Sequence, residues 1–361
     1  MKIGIDITPA AKDKAGIGYL TSSMILGLSK IDTTNLYELF TNDPTQQLEF
    51  DLPSNFKITV IKDSKAGTKW MFKGAKYLRA NNFDLFVSTS NFLWSIIYPK
   101  TLQFVHDIAP IKYPQYFTRK GSMLYSLQLR VALQTAQYVV TISQTVLNEL
   151  TKINAKKNKD YILLGLHSWA LSKKNPEYYQ EIKTKYNLPD KYFVMVGTLE
   201  PRKNHINVIK GFKLFLEDNS DFKLVIVGKK GWFYEEIFKA VKNLNLESSV
   251  IFTGYAPEDD LPGLIDLSQA GLQLSFYEGF GLPIIEFSAR NKPVLVSNIP
   301  VFLEVTKTLQ NIEYADPLDP KSIENGMLQL LNKQDLSNML DTQKYSWETF
   351  AKKLLDIITR R

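Results

Sequence analysis

Short runs of β-branched and aromatic residues alternate with longer stretches whose apolar positions recur every third or fourth residue, and this alternation extends along most of the chain. In the first half the short runs predict strands at 2–8, 37–41, 57–61, 85–89, 101–106, 138–142 and 161–164. Helical spacing falls between them, at 18–28, 66–81, 121–136 and 143–150. A polar stretch at 172–190, with Pro176 and Pro189, breaks the pattern, and its middle reads as a short helix leading into the next unit. A second series follows, with strands at 192–198, 223–227, 250–253, 271–276 and 293–297. Its helices fit at 205–217, 234–244, 261–267, 282–291 and 320–331.

Alternation of this kind implies mainly parallel sheets covered by helices. The predicted class is α/β, with two doubly wound, Rossmann-like domains in tandem at 1–172 and 173–345. The last segment, 346–361, reads as an amphipathic helix with Trp347, Phe350, Leu354 and Ile357 or Ile358 on one face, expected to pack back on the first domain. No sequence repeat relates the two halves.

Composition narrows the function. A chain of 361 residues exceeds what one hydrophobic core usually supports, and 44% hydrophobic with 22% charged residues is ordinary globular usage. Cysteine is absent and only 3 histidines occur, which excludes thiolate chemistry and argues against a histidine-built metal centre. The first residues read as a strand, without the apolar stretch of a leader, and no run approaches the ~18 apolar residues of a membrane span. A cytoplasmic location is expected, with the inner face of the membrane as a candidate site of peripheral attachment. The net charge of +7 suits phosphate-bearing substrates or an anionic membrane surface. Basic residues are dispersed, apart from small clusters at Lys156, Lys157 and Lys159 and at Arg360 and Arg361. No nucleic-acid motif accompanies them, and nucleic acid is not expected as a partner. Oligomeric state is not legible.

The chemistry concentrates in Ser275-Phe-Tyr-Glu278-Gly279-Phe280-Gly281-Leu282-Pro283-Ile-Ile-Glu286. A strand ends, two glycines permit a tight turn, and a helix starts with proline near its first turn. Backbone amides at that helix start suit a phosphate. Glu286 falls about one turn into the helix while Glu278 stays in the loop, so the two carboxylates can accept hydrogen bonds from different hydroxyl groups of one ligand. Arg202 and Lys203, in Val196-Gly197-Thr198-Leu-Glu200-Pro-Arg202-Lys203-Asn204, sit at another predicted helix start. Cations there oppose the helix dipole and are better explained by a bound anion. Asp259 and Asp260 read as a helix cap, and no Asp-x-Asp stands at a strand end, so no metal or other cofactor is expected.

The arrangement Glu-x7-Glu, with Gly-Phe-Gly between and Pro-x-x-Glu after, resembles the signature of family 4 retaining glycosyltransferases with the GT-B fold. The segment 196–204 is similar to that family's phosphate-binding loop. The resemblance covers nearly the whole chain and implies two domains facing across a deep cleft, closing on a nucleotide-diphosphate sugar. It implies that Glu286 binds the ribose hydroxyls, Glu278 the donor sugar, Arg202 and Lys203 the diphosphate, and the backbone at Gly279, Phe280, Gly281 and Leu282 the phosphates or sugar. Where the family often has an arginine, this chain has Thr198, which offers only a hydroxyl. Tyr255 lies where related proteins hold the nucleotide base.

On the first domain, Gly16 and Gly18 in Ala15-Gly-Ile-Gly resemble the family's glycine loop near the donor phosphate. His106 and Asp107 resemble its acceptor-side His-Asp pair, and Ser143 resembles a Val-Ser element that either caps the next helix or faces the donor. The catalytic set this implies is His106, Arg202, Lys203 and Glu278. Among similar bacterial chains mannose and rhamnose transfer to a growing or lipid-linked surface polysaccharide is frequent, which makes GDP-mannose the leading donor. UDP and dTDP sugars, a sugar-nucleotide epimerase of similar fold and a non-catalytic sugar-binding protein are the alternatives.

Overall fold

The computed structural model describes residues 1–10, 16–62, 68–155, 158–333 and 340–360. The chain divides into two compact units, one formed by Met1–Gly165 with Gln343–Arg361 and the other by Leu166–Thr342.

In the first unit seven strands, β1 (Lys2–Asp6), β2 (Leu36–Thr41), β3 (Phe56–Val60), β4 (Leu85–Ser88), β5 (Thr101–Val105), β6 (Tyr138–Thr141) and β7 (Lys159–Tyr161), form one parallel sheet in the order β3-β2-β1-β4-β5-β6-β7. Parallel neighbours need crossover connections. These contain α1 (Gly16–Ile31), α2 (Thr68–Ala80), α3 (Leu93–Ile97), α4 (Ala109–Lys112), α5 (Arg119–Thr135) and α6 (Gln144–Ile153). Helices on both faces explain why the central strands are near-continuous apolar runs rather than alternating ones: Ile3, Ile5, Leu85, Phe86 and Val87 are all buried. Phe40, Phe83, Phe86 and Trp94 form an aromatic cluster between the sheet and α2.

The second unit opens with α7 (Pro176–Lys185) and then repeats the plan. Its strands are β8 (Tyr192–Val196), β9 (Lys223–Val227), β10 (Val250–Gly254), β11 (Ala270–Gln273), β12 (Val294–Ser297) and β13 (Ile312–Ala315), paired in parallel in the order β10-β9-β8-β11-β12-β13. The helices are α8 (His205–Phe215), α9 (Glu235–Asn243), α10 (Leu261–Asp266), α11 (Leu282–Ala289), α12 (Pro300–Thr306) and α13 (Pro320–Leu330). Phe193, Phe212, Phe215 and Phe222 anchor its core. The chain then returns to the first unit as α14 (Trp347–Thr359), which packs on α1. At Gly27 of α1 an added methyl would lie 2.5 Å from the Trp347 carbonyl oxygen, so glycine is what lets the two helices approach.

Several expectations need correction. The division falls at Gly165 and Leu166 and again at Thr342 and Gln343, not at 172/173 and 345/346. The segment after 165 belongs to the second unit because Arg290 Nη1 donates to the carbonyls of Trp169, Ala170 and Ser172 at 3.1, 3.3 and 3.1 Å. β7 occupies Lys159–Tyr161 rather than 161–164. α3, α4, α12 and β13 were not expected. The three helices have only 5, 4 and 7 residues, too short to show a period, and β13 is an edge strand whose Glu313 and Tyr314 are not buried. Asp260 does not cap α10 with its side chain; its Oδ2 accepts from Lys185 Nζ at 2.7 Å and Tyr186 Oη at 2.6 Å. Of the expected basic clusters, Lys156, Lys157 and Arg361 lie outside the described residues, as does Ala15.

Candidate functional site

In each sheet the strand order reverses direction at one place, between β1 and β4 in the first unit and between β8 and β11 in the second. Loops leaving the carboxyl ends of such strands diverge and leave a crevice, the usual ligand position in open α/β sheets. In the second unit the loop after β8 carries Gly197, Thr198 and Glu200, then a 3-10 turn at Pro201–Lys203. The loop after β11 carries Ser275 through Gly281 and opens α11. Hydrogen bonds to backbone carbonyls help to join these loops: Phe276 N donates to Arg202 O at 2.9 Å, and Asn204 Nδ2 donates to Leu274 O at 2.9 Å. Asn204 holds a left-handed conformation (φ 64°), which turns the chain from the 3-10 segment into α8.

That stitching brings four charges together. Arg202 Nη1 donates to Glu278 Oε2 at 2.6 Å and Tyr277 O at 2.8 Å, while Nη2 donates to Glu200 Oε1 at 2.6 Å. Lys203 Nζ donates to Glu278 Oε1 at 2.6 Å, and Ser275 Oγ donates to the same oxygen at 2.8 Å. Burial would raise the Glu278 carboxyl, but the charges of Arg202 and Lys203 outweigh it and hold the group down at about 2. Glu200 is shifted the other way: burial raises its carboxyl despite Arg202. Beside them His205 is buried at the head of α8, its Nδ1 has no hydrogen-bond partner among the described residues, and burial with the Lys203 charge lowers it to about 4.

At the head of α11, Gly281 takes φ 112°, a left-handed region that a side chain rarely adopts, and an added Cβ would also lie 2.8 Å from Phe302. Gly279 and Phe280 are buried, Leu282 begins the helix, and Glu286 follows on its second turn, also buried. His167 Nδ1 pairs with Glu286 Oε1. This partner was not anticipated, because it comes from a segment 119 residues upstream with no motif around it. Thr198 is half-buried next to Gly231, and Tyr255 is exposed just beyond the end of the edge strand β10.

The remaining residues belong to the first unit. Gly16 opens α1 and has open space around it, whereas Gly18 is buried. His106 follows β5, and its Nε2 lies 2.5 Å from Thr89 O. A carbonyl only accepts, so Nε2 carries the proton and the neutral ring leaves Nδ1 as an acceptor. Burial lowers the His106 pKa, outweighing the Thr89 bond and the Asp107 charge. Thr89 Oγ1 is 2.6 Å from Thr21 Oγ1 of α1, a buried link that also escaped the sequence reading. Asp107 Oδ1 accepts from Ala109 N at 2.8 Å, and Ser143 caps α6 by accepting from Val146 N at 3.2 Å. Among the described residues no group of three His, Cys, Asp or Glu could hold a metal ion, and no helix is long and apolar enough to cross a membrane.

Residues 179–347 match the model of the family described as glycosyl transferases group 1. The chain is 27% identical over 252 residues to the O-antigen chain mannosyltransferase B of Escherichia coli, covering 67% of this chain and 66% of that protein. It is 31% identical over 224 residues to the O-antigen chain mannosyltransferase RfbU of Salmonella typhimurium, covering 62% and 58%. The match thus spans somewhat under two thirds of either relative's length. Anabaena Alr3699/HepE, solved in complex with UDP and glucose, superposes with a TM-score of 0.76 at 16% identity, covering 100% of both chains. The pair of Rossmann-like units is that of the GT-B fold.

Proposed function

We propose that this chain, which carries a glycosyl transferases group 1 domain over residues 179–347, moves a hexose from a nucleotide-diphosphate sugar to a carbohydrate acceptor. The observation that carries the reading is Glu278 held between Arg202 and Lys203 beside the helix start at Gly281. A site with two cations, a helix start and buried carboxylates offers one ligand both a diphosphate position and hydroxyl acceptors. Mannose from GDP-mannose is the donor we favour, because the two curated relatives above are mannosyltransferases of O-antigen synthesis. A growing or lipid-linked surface polysaccharide, presented at an anionic membrane face, is the corresponding acceptor.

In this reading Glu286 accepts from the ribose hydroxyls and Glu278 from the donor sugar, while Lys203 and Arg202 turn toward the diphosphate. The bond from the anomeric carbon to the phosphate oxygen breaks, a bond from the acceptor oxygen forms on the same face, and the acceptor proton passes to the departing phosphate. Configuration is retained. Arg202, Lys203 and the amides at the head of α11 stabilise the charge that develops on the leaving group, the role a divalent cation fills in other nucleotide-sugar enzymes. Thr198 and the backbone at Gly279, Phe280, Gly281 and Leu282 line the donor; Tyr255 packs on the base. On the first unit, Gly16, Gly18, His106 and Asp107 are the residues proposed to meet substrate, while Ser143 is engaged in capping α6.

Nucleotide release by purified protein tests the reading, using GDP-mannose, UDP-glucose and dTDP-rhamnose with oligosaccharide acceptors, in chelator and in added magnesium. Acceptor-dependent release in chelator, with the product anomer matching the donor, is expected. No release from any donor would overturn it.

A further inference from the structure

The exposed face of α5 is built unlike that of an ordinary surface helix. Met123, Leu124 and Leu127 are 72%, 54% and 61% exposed, although nothing in a water-facing role calls for three large apolar side chains side by side. At about 100° per residue, Arg119, Arg130, Met123, Leu127, Lys120 and Leu124 fall in one arc of about 140°. The opposite side, with Ser122, Leu129, Ala132 and Leu133, is the buried one. The apolar residues are therefore flanked by three cations on the same face, and α5 contains no acidic residue.

A second helix extends the pattern. α2 and α5 both pack against α3, and on α2 the exposed Phe72 (61%) is accompanied by exposed Lys69, Lys73 and Lys76. Residues 68–135 hold nine Lys or Arg and two Asp, a balance of +7 that equals the net charge of the whole chain. The excess positive charge is thus concentrated in this stretch, and the rest of the chain is balanced.

We infer that this surface of the first unit, centred on Met123, Leu124 and Leu127 of α5 and flanked by Arg119, Lys120 and Arg130, docks on a bilayer containing anionic lipid. The apolar side chains enter the acyl boundary while the cations stay at the headgroups, as in other interfacial helices. Charge complementarity selects the occupant: the cations attract acidic headgroups and would repel a second copy of the same face. The inference deepens the membrane-face acceptor proposed above and rests on it for its biological purpose.

Flotation of the full chain with vesicles, in the absence of donor, measures docking separately from sugar transfer. Vesicles of phosphatidylcholine alone are compared with phosphatidylcholine mixed with phosphatidylglycerol. The wild-type chain is expected to float with the mixed vesicles only, and less so at high salt. Arg119→Gln/Lys120→Gln/Arg130→Gln and Met123→Ser/Leu127→Ser should each weaken that partition by about tenfold or more while melting and GDP binding stay unchanged. Absence of flotation with the mixed vesicles, or equal flotation of wild type and both variants, would overturn the inference. So would a dimer in sedimentation that the apolar variant dissociates, which would assign the face to a second copy.

Discussion

Arg202 and Glu278 meet through a single 2.6 Å bond, and the far side of the same guanidinium grips Glu200 at an equal 2.6 Å. One arginine thereby holds two buried carboxylates from two different loops. Removing it leaves both without their shared counter-charge, which typically costs about 3–5 kcal/mol for a buried pair. Arg202→Ala should therefore lower the melting temperature as well as activity. Arg202→Lys should rescue little, because an ammonium lacks the planar fork that spans two acceptors. Calorimetric melting checks this, and an alanine variant as stable as wild type would remove Arg202 from the framework.

Lys203 has a different exposure to loss. Without it Glu278 keeps Arg202 and Ser275, so Lys203→Ala should fold and melt close to wild type. Turnover should nevertheless fall by about tenfold or more, as expected for one charge-assisted contact to the leaving group. Steady-state kinetics with the preferred donor give the answer. Unchanged kcat and KM would end the phosphate role.

Glu286 and His167 form a pair whose loss should appear in binding. Glu286→Ala is expected to weaken nucleotide affinity, whereas Glu278→Ala should mainly reduce kcat. A double-mutant cycle of Glu286→Gln with His167→Ala, read by titration calorimetry with nucleotide, should show coupling of about 0.5–3 kcal/mol. Strict additivity would make His167 a bystander.

His205 sets a pH dependence. Its pKa is lowered from an ordinary 6.5 to about 4, so between these values the unfolded chain binds the extra proton. Its contribution to stability is present above pH 6.5 and is lost as pH falls toward 4, a change on the order of 3 kcal/mol. Glu200, raised by burial, acts in the opposite sense, so the slope is read as a difference between variants. Urea unfolding from pH 7 to pH 4 should show a shallower loss in His205→Leu than in wild type. Parallel curves would refute the assignment.

The parallel sheets and the site loops were legible because buried strands are continuous apolar runs and because Gly281, Pro283 and Glu286 mark a helix start by local rules. Short elements were not: β13 has one buried apolar residue and one buried alanine, and α3 has too few turns for a period. Arg202 and Lys203 were visible as cations, but not as the partners of Glu278, since 76 and 75 residues separate them. The same limit hid His167 behind Glu286 and Thr89 behind His106. Local sequence carries backbone conformation and chemistry; pairing across loops arises only once the sheet order is set.

The return of α14 to α1 imposes an order on biosynthesis. Every residue of the second unit is translated before Trp347, so that unit can close while the first still lacks the helix that covers Gly27 and its neighbours. During translation the face of α1 around Gly27 stays uncovered until α14 emerges. The unit that starts first is therefore finished last.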